Sequence, residues 1–285
     1  MAEGRLVRID DTSLHVVTRG DGPLPLLVLH GGPGLDHHEF ADYLDPLGDR
    51  CTLHLVDQRG QGRSARDSEP HTWTLERMAQ DVAMLALALG LARYAVLGHS
   101  YGAFVTLQHA VDYPGHAAAS IVGSGIPSAR FMGSGEEAVA SLPDGVRERV
   151  LASLEREPDV RTPEDLASIL DDQWPFHFAD PLDPRIDDYR ARVAGTVFSP
   201  EVLAAVAGAG YTIDLEDRLG EVSNPTLVLV GRHDRVCPVA GSEAIAAGVP
   251  GAELVVFERS GHMTFVEEQD AFLAAVRDFL DRRVG

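Results

Sequence analysis

Short apolar runs recur through the first half of the chain, and each ends in a polar or glycine-rich turn. Runs of this kind are typical of strands that are covered on both faces of a sheet. The predicted buried strands are 24–30, 51–56, 94–97 and 118–122. Ahead of them, 5–9 and 14–18 flank a polar turn and predict a β-hairpin.

Between the strands, apolar residues recur every three or four positions and predict amphipathic helices. The clearest helix is 74–91, with apolar residues at Leu75, Met78, Val82, Leu85 and Leu89. A second helix is predicted at 101–111. Strands that alternate with helices indicate an α/β protein with a mostly parallel central sheet flanked by helices.

The alternation stops after Gly125 and resumes after Pro225. The intervening residues are charged and rich in proline, and they contain no long strand-like run. Beyond them, the pattern predicts strands 226–230 and 253–257 and helices near 241–247 and at 265–280. We therefore predict one α/β core, 1–125 and 222–285, that is interrupted by an inserted helical cap, 126–221, of the size of a small domain.

The composition is that of a globular protein able to bury a core, with 45% hydrophobic and 24% charged residues. The longest apolar stretch, 82–92, is too short to cross a bilayer, and the first residues do not resemble a signal peptide. The two cysteines, Cys51 and Cys237, make no disulfide framework. These features favour a cytoplasmic protein with no membrane partner.

The charged residues narrow the choice of partners and cofactors. A net charge of −20 argues against nucleic acid, because a phosphate backbone requires a basic surface. All 24 basic residues are arginine. Without lysine, the chain provides no Schiff base, no anchor for pyridoxal phosphate and no P-loop lysine. We expect a small-molecule or short-peptide substrate and no cofactor.

The sequence GHSYG, residues 98–102, lies between a predicted strand and a predicted helix. A sharp strand-to-helix turn strains its central residue, and glycines two positions to either side relieve the collisions. Ser100, between Gly98 and Gly102, therefore fits the nucleophile elbow of a serine hydrolase. The backbone N–H of Tyr101, at the start of the helix, is expected to point toward charge that develops on a substrate oxygen.

A serine nucleophile needs a base that takes its proton and an acid that orients the base. In chains with this elbow, the acid and then the histidine follow the serine in the sequence. Asp234 lies in the loop after strand 226–230, and His262 lies in the loop after strand 253–257. The competing position for the acid, after the last strand before the cap, holds no carboxylate. We predict a triad of Ser100, Asp234 and His262.

Two glycine-rich segments follow other predicted strands. In HGGPG, residues 30–34, a backbone N–H that we assign to Gly32 would complete an oxyanion hole with that of Tyr101. DQRGQGRS, residues 57–64, lacks the third glycine of a dinucleotide fingerprint and the lysine of a P-loop, so we expect it to brace HGGPG. The tripeptide His37-His38-Glu39 lacks the spacing of a helical zinc site, and no metal is predicted.

Together, these motifs resemble the α/β-hydrolase superfamily over nearly the whole chain, and HGGPG with DQRGQGRS is similar to the proline iminopeptidase family of serine aminopeptidases. The resemblance implies an α/β-hydrolase fold with a helical cap after the sixth core strand, and the same nucleophile, triad and oxyanion hole. Proline-releasing members usually carry a tryptophan after the nucleophile, where this chain has Tyr101, and a Trp-Glu pair in the cap, which this chain lacks.

Two features of the predicted cap bear on the substrate. Family members hold the substrate amine with cap glutamates, whereas here no motif singles out one acid. The cap acids considered are Glu136, Glu137, Asp171, Asp172, Glu201, Asp214 and Glu216. An aromatic cluster, Trp174, Phe176 and Phe178, is equally consistent with packing of the cap and with the lining of an acyl pocket.

These residues predict a hydrolase that cleaves a small peptide, amide or ester through an acyl-serine intermediate. The leading hypothesis is an aminopeptidase similar to the proline iminopeptidases. Within enzymes, a carboxylesterase or lactonase that acts on neutral small substrates is the alternative. Outside enzymes, the alternative is a ligand-binding receptor that retains a hydrolase scaffold.

Overall fold

A computed structural model of the protein describes residues 4–133 and 135–285. Its strands are β1 Arg5–Arg8, β2 Ser13–Arg19, β3 Leu24–Leu29, β4 Cys51–Asp57, β5 Ala95–His99, β6 Ala119–Gly123, β7 Thr226–Gly231 and β8 Glu253–Phe257. They form one sheet in the order β1-β2-β4-β3-β5-β6-β7-β8. The pairs β1–β2 and β2–β4 are antiparallel, and all other neighbours are parallel. The predicted hairpin and the mostly parallel sheet are therefore confirmed.

Ten helices accompany the sheet in the described part of the chain. They are α1 Leu75–Ala88, α2 Tyr101–Asp112, α3 Gly135–Val139, α4 Asp144–Arg156, α5 Pro163–His177, α6 Arg185–Arg192, α7 Pro200–Gly208, α8 Val239–Gly248, α9 Thr264–Glu267 and α10 Gln269–Arg283. Within residues 4–133 and 135–285, no helix combines the length and the apolar composition needed to span a membrane.

Two hydrophobic clusters cover the two faces of the sheet, because successive side chains of a strand point to opposite sides. Leu27 and Leu29 of β3 pack in one cluster with residues of α1 and α2. Leu26 and Val28 pack in the other cluster with residues of α10. Burial on both faces explains why the parallel strands are continuous apolar runs.

Between β6 and β7, the described residues form α3 to α7 with short 3₁₀ turns and no further strand of the sheet. The helices α4 and α5 pack together around a small cluster that includes Val146, Val150 and Phe176. This segment has its own apolar clusters, so we propose that residues 126–221 are the cap and call them the helical segment.

The helix predicted over 265–280 is wrong in one respect, since α9 and α10 are separated at Glu268. This residue has a φ of −129° and a ψ of 51°, which is not helical. Its carboxylate accepts hydrogen bonds from the Arg259 N–H at 2.8 Å and the Ser260 hydroxyl at 2.9 Å. The break therefore anchors the loop that precedes His262.

Candidate active site

Ser100 lies at a sharp turn between β5, which ends at His99, and α2, which begins at Tyr101. Its φ is 53° and its ψ is −119°, so the backbone is in a region that non-glycine residues rarely adopt. A Cβ atom on Gly98 would lie 2.1 Å from the Gly102 carbonyl oxygen, and one on Gly102 would lie 2.3 Å from that of Leu29. The turn thus requires both glycines, because the neighbouring backbone leaves no room for a Cβ atom at either position.

Asp234 and His262 are hydrogen-bonded to each other in the structure. The Nδ1 atom of His262 lies 2.9 Å from Oδ2 and 3.0 Å from Oδ1 of Asp234. Oδ1 also accepts hydrogen bonds from the N–H groups of Val236, at 3.0 Å, and Cys237, at 2.8 Å. Burial acts to raise the pKa of Asp234, but the charge and hydrogen bond of His262 outweigh it and the pKa is lowered. An ionised Asp234 holds the proton of His262 on Nδ1 and leaves Nε2 free.

Ser100, His262 and Gly32 line one cavity of about 420 Å³. Within the described part of the chain, no hydrogen bond joins the Ser100 hydroxyl to His262. The N–H of Tyr101 is the first of α2, and such groups have no acceptor within their own helix. The structure therefore brings a strained serine, a carboxylate-bound histidine and the glycine-rich loop to one place.

The segment DQRGQGRS braces HGGPG through side-chain hydrogen bonds. The Gly34 N–H donates to Oε1 of Gln61 at 2.6 Å, and the side-chain amide of Gln58 donates to the His30 carbonyl at 2.7 Å. The Gly62 N–H donates to the Ser199 hydroxyl at 3.2 Å. The same loop therefore connects HGGPG to the helical segment.

The cavity walls are mainly apolar, and the helical segment supplies many of them. Trp174 and Phe176 of α5 line the cavity. Phe178, the third residue of the aromatic cluster considered for the acyl pocket, does not line the cavity. It follows the end of α5 in an extended conformation, with a φ of −95° and a ψ of 152°, so its side chain turns away from the helix face. It is fully buried and packs against the ring of Tyr189.

Two carboxylates line the cavity among the described residues, Glu39 and Glu157. Glu157 follows α4 and accepts hydrogen bonds from the side-chain amide of Gln173 at 2.7 Å and the hydroxyl of Tyr211 at 2.9 Å. Burial raises the pKa of Glu157, and these two bonds offset only part of the rise. Both donors are neutral, so a charged Glu157 has no cationic partner among them.

Sequence reasoning did not single out Glu157, which stands between Arg156 and Pro158 without a motif. Its partners Gln173 and Tyr211 are 16 and 54 positions away. Only the packing of the helical segment brings the three side chains together.

The second carboxylate, Glu39, is already paired. Its Oε1 lies 2.9 Å from Nδ1 of His99, and its Oε2 accepts the Gly31 N–H at 2.5 Å. The other ring nitrogen of His99, Nε2, lies 3.0 Å from the carbonyl oxygen of His262. The feature of the sequence that could have pointed to this pair is the position of His99, directly before Ser100.

Two groups of side chains that could bind a metal ion lie close to the segments HGGPG and DQRGQGRS, although no metal was predicted from the sequence. They are His15, His37 and Asp57, and Asp36, His37 and His38, with the ligand atoms of each group within 4.8 Å of one another. Sequence spacing did not reveal the first group, because His15 and Asp57 meet across β2 and β4. Asp57 accepts hydrogen bonds from Nδ1 of His15 at 3.0 Å and of His37 at 2.6 Å. These bonds link the two imidazoles through the carboxylate of Asp57.

Comparison with known proteins agrees with this architecture. A family model described as alpha/beta hydrolase fold matches residues 25–269. The chain is 28% identical to the proline iminopeptidase of Saccharolobus solfataricus over 269 residues, which cover 90% of this chain and 84% of that protein.

Two solved structures resemble the protein over almost its full length. The proline iminopeptidase of Mycobacterium smegmatis has a TM-score of 0.77 at 27% identity, covering 99% of this chain and 98% of that one. A thermophilic esterase from Thermogutta terrifontis has a TM-score of 0.76 at 27% identity, covering 99% of both chains. The chain thus resembles the proline iminopeptidases, and it belongs to the α/β-hydrolase family.

Proposed function

We propose that this protein is a serine hydrolase that cleaves a small peptide, amide or ester through an acyl-serine intermediate. Ser100 is the nucleophile, His262 the general base and Asp234 the acid that orients the base. The observation that carries this proposal is the hydrogen bond between Asp234 and His262, together with the cavity that His262 and the strained Ser100 both line. Membership of a hydrolase family supports it.

In the proposed reaction, the Ser100 oxygen attacks the carbonyl carbon while its proton passes to Nε2 of His262. The N–H groups of Gly32 and Tyr101 stabilise the oxyanion that forms. His262 then gives the proton to the leaving amine or alcohol, and the acyl group stays on Ser100. Water, deprotonated by His262, then attacks the acyl carbon, and His262 returns the proton to the Ser100 oxygen as the ester bond breaks and the acid is released. We expect a hydrogen bond between the Ser100 hydroxyl and Nε2 of His262 to form when substrate occupies the cavity.

We further propose that the substrate carries a free amine, as expected of an aminopeptidase similar to the proline iminopeptidases. The support is Glu157, a half-buried carboxylate at the cavity wall whose partners among the described residues are neutral donors. A substrate ammonium would provide the missing charge. Glu39 is a weaker choice, because His99 and Gly31 already occupy its two oxygens.

A charge-assisted contact of this kind contributes about 1.5–3 kcal/mol, which is roughly ten- to a hundredfold in specificity. The apolar walls, which include Trp174, Phe176 and Phe104, suit the side chain of an apolar terminal residue. Together, the charge and the walls favour a short peptide or aminoacyl amide with an apolar first residue.

The test compares alanine and proline naphthylamides, free and N-acetylated, in the wild type and in Glu157→Gln. We expect the wild type to cleave only the free amines, and Glu157→Gln to lose roughly ten- to a hundredfold in kcat/KM on them. Glu155→Gln, an exposed change in the last turn of α4, is the matched control and should behave as the wild type. Equal rates on free and acetylated substrates would refute the amine site.

That outcome would favour the second candidate, a carboxylesterase or lactonase for neutral small substrates. The resemblance to the Thermogutta terrifontis esterase, which is as close as that to the iminopeptidase, supports this candidate. Its substrate would leave Glu157 hydrogen-bonded to Gln173 and Tyr211. Short-chain nitrophenyl esters and lactones, assayed in the same variants, should then be cleaved equally well with and without Glu157.

A further inference from the structure

We propose that Glu39 and His99 form a buried ion pair that holds the oxyanion loop and the loop of His262 in place around Ser100. Both act as positioning residues, because they work through the backbone of Gly31 and His262. This inference rests on the proposed roles of Ser100 and His262.

The pair connects HGGPG, the turn at Ser100 and the loop of His262. Glu39 accepts the N–H of Gly31 in HGGPG and faces Nδ1 of His99, which directly precedes Ser100. Nε2 of His99 faces the carbonyl oxygen of His262 at 3.0 Å, and the Ser124 hydroxyl donates to the same oxygen. The ring of His99 also lies 4.8 Å from that of His262, centroid to centroid.

The hydrogen-bond partners define where the protons of His99 lie. A carbonyl oxygen only accepts, so Nε2 must carry a hydrogen to bond to His262. A carboxylate also only accepts, so Nδ1 carries a hydrogen whenever Glu39 is ionised. His99 is then an imidazolium beside a carboxylate, and each ring nitrogen donates to an oxygen.

Burial and charge agree with this assignment. His99 is 2% exposed and Glu39 is 6% exposed. Burial acts to lower the pKa of His99, but the charge of Glu39 outweighs it and the pKa is raised. Burial likewise acts to raise the pKa of Glu39, but the charge and hydrogen bond of His99 lower it overall. Charged partners in a dry site hold their geometry strongly, since separating them leaves a buried charge.

Other titratable groups surround the pair and contribute to its electrostatics. They are His262, Asp234, His177, His30 and Tyr189. Within the described residues, none of their side chains makes a hydrogen bond to the side chain of Glu39 or His99. The pair is therefore the local unit whose loss can be tested by substitution.

The backbone leaves room for the pair only because residue 31 is glycine. A Cβ atom at Gly31 would lie 2.6 Å from Oε1 of Glu39 and 3.3 Å from Nδ1 of His99. It would also lie 3.0 Å from the Cβ of Ser100. Even a methyl group would push the carboxylate away from the imidazole.

The first test is nitrogen NMR of the imidazole rings in the full-length protein, with His99→Gln used to assign the His99 signals. In the wild type, we expect both ring nitrogens of His99 to stay protonated through the pH range in which a free histidine loses its proton. In Glu39→Gln, one nitrogen should lose its proton within that range. A His99 that titrates in the wild type as a free histidine would overturn the ion pair.

The second test measures the rate at which a fluorophosphonate labels Ser100, together with kcat and KM on the best substrate. Misplacement of a reacting group by about 1 Å can cost roughly a hundredfold. Glu39→Gln should slow labelling and lower kcat by roughly ten- to a hundredfold while KM changes less than about twofold. The double variant Glu39→Gln/His99→Gln should lose about as much as either single variant, because the two residues act as a unit.

Asp81→Asn is the matched control, since Asp81 is a buried carboxylate of α1 that pairs with Arg59. It should lower the Tm and leave labelling at the wild-type rate. Labelling at the wild-type rate in Glu39→Gln, or equal slowing in Asp81→Asn, would overturn the positioning role alone. A wild-type Ser100 that does not react would instead overturn the proposed function, and the NMR result would still decide whether the ion pair exists.

Discussion

At Ser100, the backbone is held in a conformation that costs a non-glycine residue on the order of 1–3 kcal/mol. The neighbouring strand offsets part of this cost, because the Ser100 N–H donates to the Gly123 carbonyl at 2.9 Å. The N–H groups of Ala103 and Phe104 bond back to the Ser100 carbonyl and begin α2. These hydrogen bonds hold the strained backbone of Ser100 in place at the wall of the cavity.

If Ser100 and His262 act as proposed, Ser100→Ala and His262→Ala should each lose roughly three or more orders of magnitude in kcat. Asp234→Asn should lose somewhat less, because it alters the tautomer and leaves the base in place. Turnover is measured on purified variants whose circular dichroism matches the wild type. His233→Ala, an exposed histidine beside Asp234, is the control and should keep full activity. Retained turnover in Ser100→Ala would exclude it as the nucleophile.

The elbow is a property of two packed elements, β5 and α2, and its glycines are required by their close approach. A Cβ atom on Gly98 would meet the Gly102 carbonyl oxygen at 2.1 Å and the Thr106 hydroxyl at 2.4 Å. The strand and the helix could then keep their positions only if the backbone shifted. A side chain at Gly98 should therefore lower the stability of the protein as well as its activity.

We expect Gly98→Ala to lower the free energy of unfolding by at least about 2 kcal/mol, the cost of overpacking a rigid site. Gly145→Ala in helix α4 is the matched control, because a Cβ atom there would meet no atom of the described residues within 4 Å. It should stay within about 1 kcal/mol of the wild type. Urea unfolding of the three proteins gives the comparison, and equal midpoints would show that the elbow tolerates a side chain.

The helical segment contributes side chains to the cavity wall and hydrogen bonds to the loop of His262. It supplies Trp174 and Phe176 to the cavity wall, and Glu157 as the carboxylate. It also holds the loop of His262, because the His262 N–H donates to the His177 carbonyl at 2.7 Å. Glu267 accepts the N–H groups of Ala179 and Gly261, both at 2.8 Å, and adds a second connection.

For the whole molecule, acidic residues dominate the charge, and several of them are buried in hydrogen-bonded positions. Burial acts to raise the pKa of Asp57, but hydrogen bonds from His15 and His37 outweigh it and lower the pKa below its ordinary value of 3.8. At a pH below that value, the unfolded chain binds a proton that the folded chain does not. The stabilisation is therefore present above about pH 4 and is lost as the pH falls further.

We expect the urea midpoint to fall steeply below about pH 4, and Asp57→Asn to be less stable than the wild type at pH 7. The difference between the two proteins should shrink as the pH falls, because the wild type loses the same interaction. Measurements in 0.5 M NaCl screen the repulsion among the acidic residues. The exposed Asp217→Asn is the control, with no change at pH 7. A difference that is constant from pH 7 to pH 3 would contradict the assignment.

The linear sequence determined the features of this protein that depend on local physics. The pattern of apolar residues identified the strands and helices of the core. A strand buried on both faces is a continuous apolar run, whereas a helix buried on one face has apolar residues every three or four positions. Glycine spacing identified the elbow, since only close backbone approach requires it there. The ends of parallel strands meet at one edge of a sheet, so Asp234 and His262 could be predicted as neighbours. In the structure, Nδ1 of His262 lies 2.9 Å from Oδ2 of Asp234.

Only the tertiary structure decided which side chains share a buried environment. It paired Glu39 with His99 and His15 with Asp57, and it left Glu157 with neutral partners at the cavity wall. Charge compensation depends on neighbours that are tens of residues apart in the chain, so no local pattern records it. The same reason explains why Phe176 lines the cavity whereas Phe178, two residues later, is buried in the core: helix α5 ends between them, and the chain beyond it packs elsewhere.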